Sequence, residues 1–235
     1  MMAATSPQRL SGFGMGFLAG YVDTLGFIAL FGLFTAHVTG NFVLLGASLA
    51  DPQQIPSLLK ILAFPAFIFG IAAARLLVVS CERRGVSAHK PNYLLQLVLL
   101  VGFMVCGMLA EPVPRQMGLL AMAAGLLGTA AMGAHSAASK LLLSHLAPTS
   151  MMTGNVTQLV IDGVDWLRGA GDGATAARCG KFFWPVFGFA LGCAGAAFGF
   201  LEFGFVALLA PIAILCLHLW LPAPAPDVKP ASATA

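Results

Sequence analysis

The residues of this chain that could do chemistry are few, and they are spaced in a pattern. Asp23 interrupts a long apolar run, with Tyr21 two residues before it. The tripeptide Thr-Gly-Asn occurs twice, as Thr39-Gly40-Asn41 and as Thr153-Gly154-Asn155, and each copy opens a short apolar stretch, 39–50 and 153–167. His37 stands just before the first copy; His135, Ser136 and Lys140 stand before the second. An acid inside an apolar helix costs about 2.5–3.5 kcal/mol on insertion scales, and such acids mark solute pathways or proton relays. Thr and Asn are helix N-cap residues, and Gly allows close backbone approach. A helix start of this composition offers free N–H groups and the positive end of the helix dipole to an anionic or polar group. These residues are therefore read as substrate-binding (Thr39, Gly40, Asn41, Thr153, Gly154, Asn155) and as proton or ion coupling (Asp23, His135), with His37, Tyr21, Ser136 and Lys140 as further candidates. A buried acid needs a partner, and His135 or Lys140 from the other half of the chain would supply one. The plainer alternatives are a structural carboxylate satisfied by hydroxyls or backbone, hydrogen-bonded structural histidines, and a Lys140 that snorkels to the surface.

The elements that carry these residues are set by composition. Of 235 residues 59% are hydrophobic and 9% charged, with mean hydropathy +0.90. Soluble domains carry roughly 25% charged residues, so the solvent of this chain is lipid. A net charge of +3 gives no case for nucleic acid. The five cysteines form no CxxC, and there is no HExxH, no paired-acid metal motif and no GxSxG with an accessible His. No metal, cofactor or catalytic residue is expected. Six stretches have the roughly 20 apolar residues that a crossing needs: 11–34, 57–80, 92–110, 117–143, 180–200 and 203–221. The two Thr-Gly-Asn stretches are too short. With the N-terminus inside, Arg9, Arg83, Arg84, Lys90, Arg168, Arg178, Lys181 and Lys229 lie inside, against Arg115 and an edge-lying Lys60 outside. This bias obeys the positive-inside rule and puts both termini in the cytoplasm. The Pro/Ala-rich tail 222–235 reads as disordered.

The two halves, 11–110 and 117–221, repeat: span, Thr-Gly-Asn segment, span, span. Gly12, Gly16, Gly20 and Thr24 match Gly125, Thr129, Gly133 and Ala137 at a spacing of 113. Trp184-Pro185-Val186-Phe187 matches Phe64-Pro65-Ala66-Phe67 at 120, and the prolines read as kinks or as first-turn residues. Three spans per repeat is odd, so the second repeat is inverted relative to the first. Inverted repeats with short segments at matching positions are a feature of secondary transporters, where those segments point to the binding site. The fold class is thus an all-α polytopic membrane protein, with six transmembrane helices and two short half-helices that are either re-entrant or interfacial. In the second half-helix, Val156, Leu159, Val160 and Gly163 are expected on one side, with Thr157, Asp162 and Asp165 on the other.

The stretches Gly20-Tyr21-Val22-Asp23, Thr35-Ala36-His37-Val38-Thr39-Gly40-Asn41 and Met152-Thr153-Gly154-Asn155 resemble the YoaK-like family of bacterial integral membrane proteins over residues 11 to 221. The resemblance implies a multi-span protein of the bacterial inner membrane. It adds weight to Gly20, Asp23, Thr39, Gly40 and Asn41, and it implies no substrate. Where this chain has His135-Ser136, that family often has Gln-Asn. The expected function is secondary transport of a small polar or anionic solute, with a proton or cation bound at Asp23 as the coupling ion. The rival readings are a membrane-embedded enzyme and a non-transporting sensor or assembly factor.

Overall fold

The computed structural model describes residues 6–50, 58–113 and 118–220. Arg115, Lys229 and the tail 222–235 lie outside the described residues, as do the first residues of the expected second and fourth spans. The described residues form α1 (Ser6–Ala29), α2 (Gly40–Ala50), α3 (Leu58–Arg83), α4 (His89–Ala110), α5 (Leu119–Leu141), α6 (Met152–Leu167), α7 (Thr175–Phe203), a 3-10 turn (Gly204–Leu208) and α8 (Leu209–Trp220). Among them there is no strand. Five helical segments are long and apolar enough to cross a membrane, the last being the continuous Thr175–Trp220. Gly204 (φ 56°) breaks that segment, a conformation that suits Gly because it has no Cβ.

Helix ends follow local chemistry. The first span was expected to run to residue 34, but α1 stops at Ala29. Phe31 (φ 52°) and Gly32 (φ 81°) turn left-handed, and Gly32 N–H bonds Phe27 O at 2.8 Å, the six-to-one closure of a Schellman end. Lys60 of α3 donates to Phe31 O at 3.0 Å and so caps the same turn. Asp23 therefore lies six residues, about 9 Å, from the end of its helix. It is displaced toward one membrane face from the midplane position that an 11–34 span implies.

α1 and α5 are the least hydropathic of the five segments (1.3 each, against 2.2–2.4) and the most buried (67% and 61% of the window, against 22–33%). Small residues explain both facts. Small residues let helix backbones approach closely in lipid, where packing rather than hydrophobicity drives association. A Cβ on Gly16 or Gly20 would strike the carbonyls of Pro185 or Phe189, and one on Gly188 or Gly192 would strike those of Phe13 or Phe17. The contacts advance together along both helices, so α1 and α7 run parallel. α3 and α5 pair likewise, through Gly70 against Ala130 O and Gly133 against Phe67 O. The proline match at 120 fails on burial. Pro185 is buried against Gly12 and Gly16, whereas Pro65 is exposed, and both lie inside their helices rather than in a first turn. α4 runs antiparallel to α5, with Gln96 at His135 and Phe103 at Gly128. The end of α8 meets the starts of α4 and α1, through His218 at Tyr93 and Gly14.

α6 keeps its two expected sides apart only in part: Val156 and Val160 are exposed and Asp162 is buried, but Thr157, expected beside Asp162, is exposed with the valines. Met152, Asn155 and Asp162 are buried, whereas Val156, Val160, Ile161, Val164 and Trp166 are exposed. In lipid an apolar exterior costs nothing, while polar groups must find partners inside. Asp162 finds Arg178 of α7, whose Nε lies 3.1 Å from Oδ1, and the same guanidinium reaches Asp172 at 3.0 Å.

Candidate polar sites at the two ends of the bundle

The polar residues gather at two places. Near the end of α1, the loop 30–39 folds back over Asp23. Asp23 Oδ1 accepts from Ala36 N–H at 2.7 Å, and from His37 N–H and Thr35 Oγ1 at 3.4 Å. Its Oδ2 meets His37 Nδ1 at 2.6 Å. The partner of the buried acid thus comes from its own loop and not from His135 or Lys140. An ionised carboxylate only accepts, and here both oxygens are satisfied. Asp23's side chain is 5% exposed and His37's 36%, so the pair joins a buried acid to an open ring. The His37 ring stands edge-on to Phe189 of α7 at 5.5 Å. The hydrogen bond to Asp23 raises the His37 imidazole above its ordinary range; burial opposes the shift and the carboxylate's charge adds to it.

Asn41 holds this loop rather than capping a helix. Its Nδ2 donates to Phe34 O at 2.8 Å, and its Oδ1 accepts from Phe34 N–H at 3.0 Å. The amides at the start of α2 are occupied by their own turn: Gly40 N–H by His37 O at 2.7 Å, Asn41 N–H by Val38 O and Phe42 N–H by Thr39 O, both at 3.1 Å. Thr39 is exposed. Tyr21 is buried against Gly195 and Gly199 of α7, with its ring 5.6 Å from that of Phe17.

The second place is at the opposite end, where α1 and α4 begin and α5 and α8 finish. Asn155 Nδ2 donates to Pro148 O at 2.6 Å, again seven residues back. Proline has no N–H, so the return bond of the first loop has no counterpart. Thr149, fully buried like Thr35, meets the preceding helix: its Oγ1 lies 2.9 Å from His135 Nε2 and its N–H bonds Ser139 Oγ at 3.1 Å. Gln96 Oε1 lies 3.2 Å from His135 Nδ1, and Gln96 Nε2 donates to Asn92 O at 3.4 Å. That amide orientation makes His135 Nδ1 the donor and leaves Nε2 to accept from the Thr149 hydroxyl. Ser136 accepts from Ser150 at 3.1 Å. Lys140 is exposed in the last turn of α5, and Thr153 and Gly154 are exposed on α6, which starts at Met152 with no side-chain cap.

The twelve candidate residues therefore divide by half of the chain, with Tyr21, Asp23, His37 and the first Thr-Gly-Asn at one end and His135, Ser136, Lys140 and the second copy at the other. Sequence reading missed Thr35, Thr149, Asn92, Gln96 and His218. The first two had a signal, since each stands four residues before its Thr-Gly-Asn. So did Asn92 and Gln96, a polar i, i+4 pair in an apolar helix. His218, a lone histidine near a helix end, had none.

Long apolar helices with apolar exteriors and buried polar clusters define a multi-pass transmembrane protein of the all-helical class. The chain belongs to the family DUF1275, described as a protein of unknown function, whose family model matches residues 12–221. It is also similar to the UPF0700 transmembrane protein YoaK of Bacillus subtilis (strain 168), with 29% identity over 145 residues. The match covers 61% of this chain and 62% of that protein, less than two thirds of its length. No solved structure matches.

Proposed function

We propose that the protein is a secondary transporter of a small polar solute, coupled to a proton through the Asp23–His37 pair. The observation that carries this reading is the 2.6 Å contact between a buried carboxylate and a half-exposed imidazole. A proton arriving at the open ring can pass to a carboxylate inside the bundle, and acids in such positions serve as relays in pumps and transporters. Because the amides at the first Thr-Gly-Asn are occupied by carbonyls, the solute bound there is a cation or a neutral polar molecule rather than an anion. Asn41 and Asn155 act by holding their loops, Thr39 and Gly40 lead into α2, and Thr153 and Gly154, exposed in the first turn of α6, face the solute path. The polar clusters at opposite ends serve as outward and inward half-sites, exposed in turn as one half of the bundle rocks against the other.

The same reading takes the chain as two inverted three-span repeats, 11–110 and 117–221, in the bacterial inner membrane with both termini cytoplasmic. Packing supports it. Phe17 and Gly20 of α1 stand to Ala130 and Gly133 of α5 at a spacing of 113, and Phe67 and Gly70 of α3 stand to Phe189 and Gly192 of α7 at 122. Swapping the halves maps the contact Gly20–Phe189 onto Gly133–Phe67, and Phe17–Gly192 onto Ala130–Gly70. The sixth crossing is the 3-10 turn with α8, about 28 Å at 2.0 and 1.5 Å per residue, near the ~30 Å hydrocarbon thickness. The experiment is pH-gradient-driven uptake by proteoliposomes across a panel of polar solutes. The wild type concentrates a solute and Asp23→Asn does not; survival of gradient-driven uptake in Asp23→Asn defeats the coupling role. Single cysteines beside Asn41 and Asn155 label from opposite sides of the membrane, and labelling from one side defeats the inverted arrangement.

A further inference from the structure

Three helices bring their C-terminal ends to one place. α1 ends at Ala29, α4 at Ala110 and α7 at Phe203. A cavity of about 410 Å³ lies among these ends, with walls from Ile28 and Ala29 of α1, Phe200 of α7, Phe205 of the 3-10 turn, and Glu111 with the two residues that follow it. Local chemistry builds it. Pro112 cannot continue α4, and Glu111 ahead of it is extended (φ −69°, ψ 137°). Gly204 breaks α7 beside that carboxylate, where a Cβ would strike Glu111 Oε1. The turn then aims Phe205 N–H at Glu111 Oε1, 3.1 Å away. The Phe205 ring is fully buried and edge-on to Phe200 at 5.8 Å, whereas Glu111 is exposed. The cavity thus joins a dry aromatic wall to an accessible charge.

That charge stands where helices disfavour it. A helix C-terminus carries partial negative charge, which attracts cations and repels an acid. Here three such ends surround a carboxylate. Among the described residues no lysine, arginine or histidine forms an ion pair with Glu111. Lys60 is engaged by Phe31 O at 3.0 Å and does not line the cavity.

We propose that this cavity binds a water-soluble organic cation with an ammonium head and an apolar body. The ammonium meets Glu111 through charge-assisted hydrogen bonds, and the body lies against Phe200, Phe205 and Ile28. Sites for small organic molecules are typically about 300–1,000 Å³, mostly apolar with a few polar groups, and this cavity matches on both counts. The field of the carboxylate and helix ends repels an anion. A bare metal ion would find one carboxylate among apolar walls, and no group of three or more His, Cys, Asp or Glu side chains that could hold one occurs among the described residues. A phospholipid with an amine headgroup shares the ammonium, but its two acyl chains are too large for the cavity to enclose. None of Asp23, His37 and the Thr-Gly-Asn residues lines the cavity, so the site stands independently of the transport reading.

The test is calorimetric titration of the purified full-length protein in detergent with phenethylammonium chloride, against a blank of detergent alone. Phenethyl alcohol carries the body without the charge, methylammonium the charge without the body, and phenylacetate the body with the opposite charge. Phenethylammonium is expected to bind saturably, and each control at least about 10-fold more weakly. Glu111→Gln removes the charge and keeps an acceptor for Phe205 N–H. It should weaken binding about 10- to 100-fold, the worth of one hydrogen bond to a charged group. Phe200→Leu should weaken it about 3- to 10-fold, the worth of an aromatic contact. No saturable binding, equal binding of any control, full affinity in either variant, or binding of phosphatidylethanolamine that phenethylammonium does not displace would each overturn the proposal. The comparison of ligands on the wild type decides the matter even where a variant fails to fold.

Discussion

The two asparagines make chemically unequal latches, and the inequality is measurable. Asn41 satisfies both backbone groups of Phe34, at 2.8 and 3.0 Å, while Asn155 satisfies a single backbone group, the carbonyl of Pro148 at 2.6 Å, beside a 3.8 Å contact with Met152 Sδ. Leucine is close in shape to asparagine and has no polar atoms. Asn41→Leu leaves a part-buried N–H and a part-buried C=O without partners, at about 1–2 kcal/mol each, the lower part of the range for buried groups, so loop 30–39 loses about 2–4 kcal/mol against opening. Asn155→Leu strands one carbonyl and costs its loop about 1–2 kcal/mol on the same scale. At 1.4 kcal/mol per tenfold, local opening rises about 30- to 1,000-fold in the first variant and about 5- to 30-fold in the second. Amide hydrogen exchange reads this directly. The reporters are Ala36 N–H, which bonds Asp23, and Thr149 N–H, which bonds Ser139. Each variant should accelerate its own reporter and spare the other, because the loops lie at opposite ends of the bundle. Equal acceleration in the two variants, or an unchanged Ala36 rate in Asn41→Leu, would refute the latch argument. Either result would return Thr-Gly-Asn to the role of a helix start.

Two further expectations come from the packing and the electrostatics. Gly20→Ala and Gly133→Ala drive a Cβ into a facing backbone carbonyl, which cannot rotate aside. Each should lose about 1–3 kcal/mol, several degrees of melting temperature for a chain this size. Gly46→Ala meets nothing within 4 Å and should be neutral or stabilise by up to ~1 kcal/mol through helix propensity; a melting temperature for Gly20→Ala equal to that of Gly46→Ala contradicts the close approach. The His37 imidazole is raised above its ordinary value by Asp23, so its stabilising contribution is complete below the unfolded value near 6.5 and is lost as pH climbs through the raised folded value. Thermal stability should therefore fall across that upper window in the wild type and stay flatter in His37→Gln; identical pH profiles would exclude the pair from the linkage.

Much of the fold was legible because lipid imposes simple rules on sequence. Runs of about 20 apolar residues mark crossings, and glycines at every fourth place mark a face where helices touch. Gly12, Gly16 and Gly20 pointed to that face, and Asp23 on the same face had to look inward. Helix ends were less legible. The Leu30–Phe34 run is as apolar as the span before it, and only the left-handed turn at Phe31 and Gly32, capped from α3 by Lys60, stops α1 at Ala29. The proline match misled because shared letters carry no information about faces. The contact register that pairs Phe67 and Gly70 with Phe189 and Gly192 arises from backbone approach between helices distant in sequence.

The division is clearest at the candidate sites. The sequence alone determined that this chain lives in lipid, that its few polar residues cannot stand unpaired there, and that two Thr-Gly-Asn copies open two short helices. Those conclusions follow from composition and local spacing, which are properties of the chain itself. Only the tertiary structure decided who pairs with whom. It gave Asp23 to His37 and the loop amides, gave His135 to Gln96 and Thr149, turned both asparagines back on carbonyls seven residues earlier, and left Asn92 and His218 each with an acceptor to spare. Hydrogen bonds are short and directional. Which donor meets which acceptor therefore depends on where packed helices bring their ends, and no one-dimensional spacing encodes that.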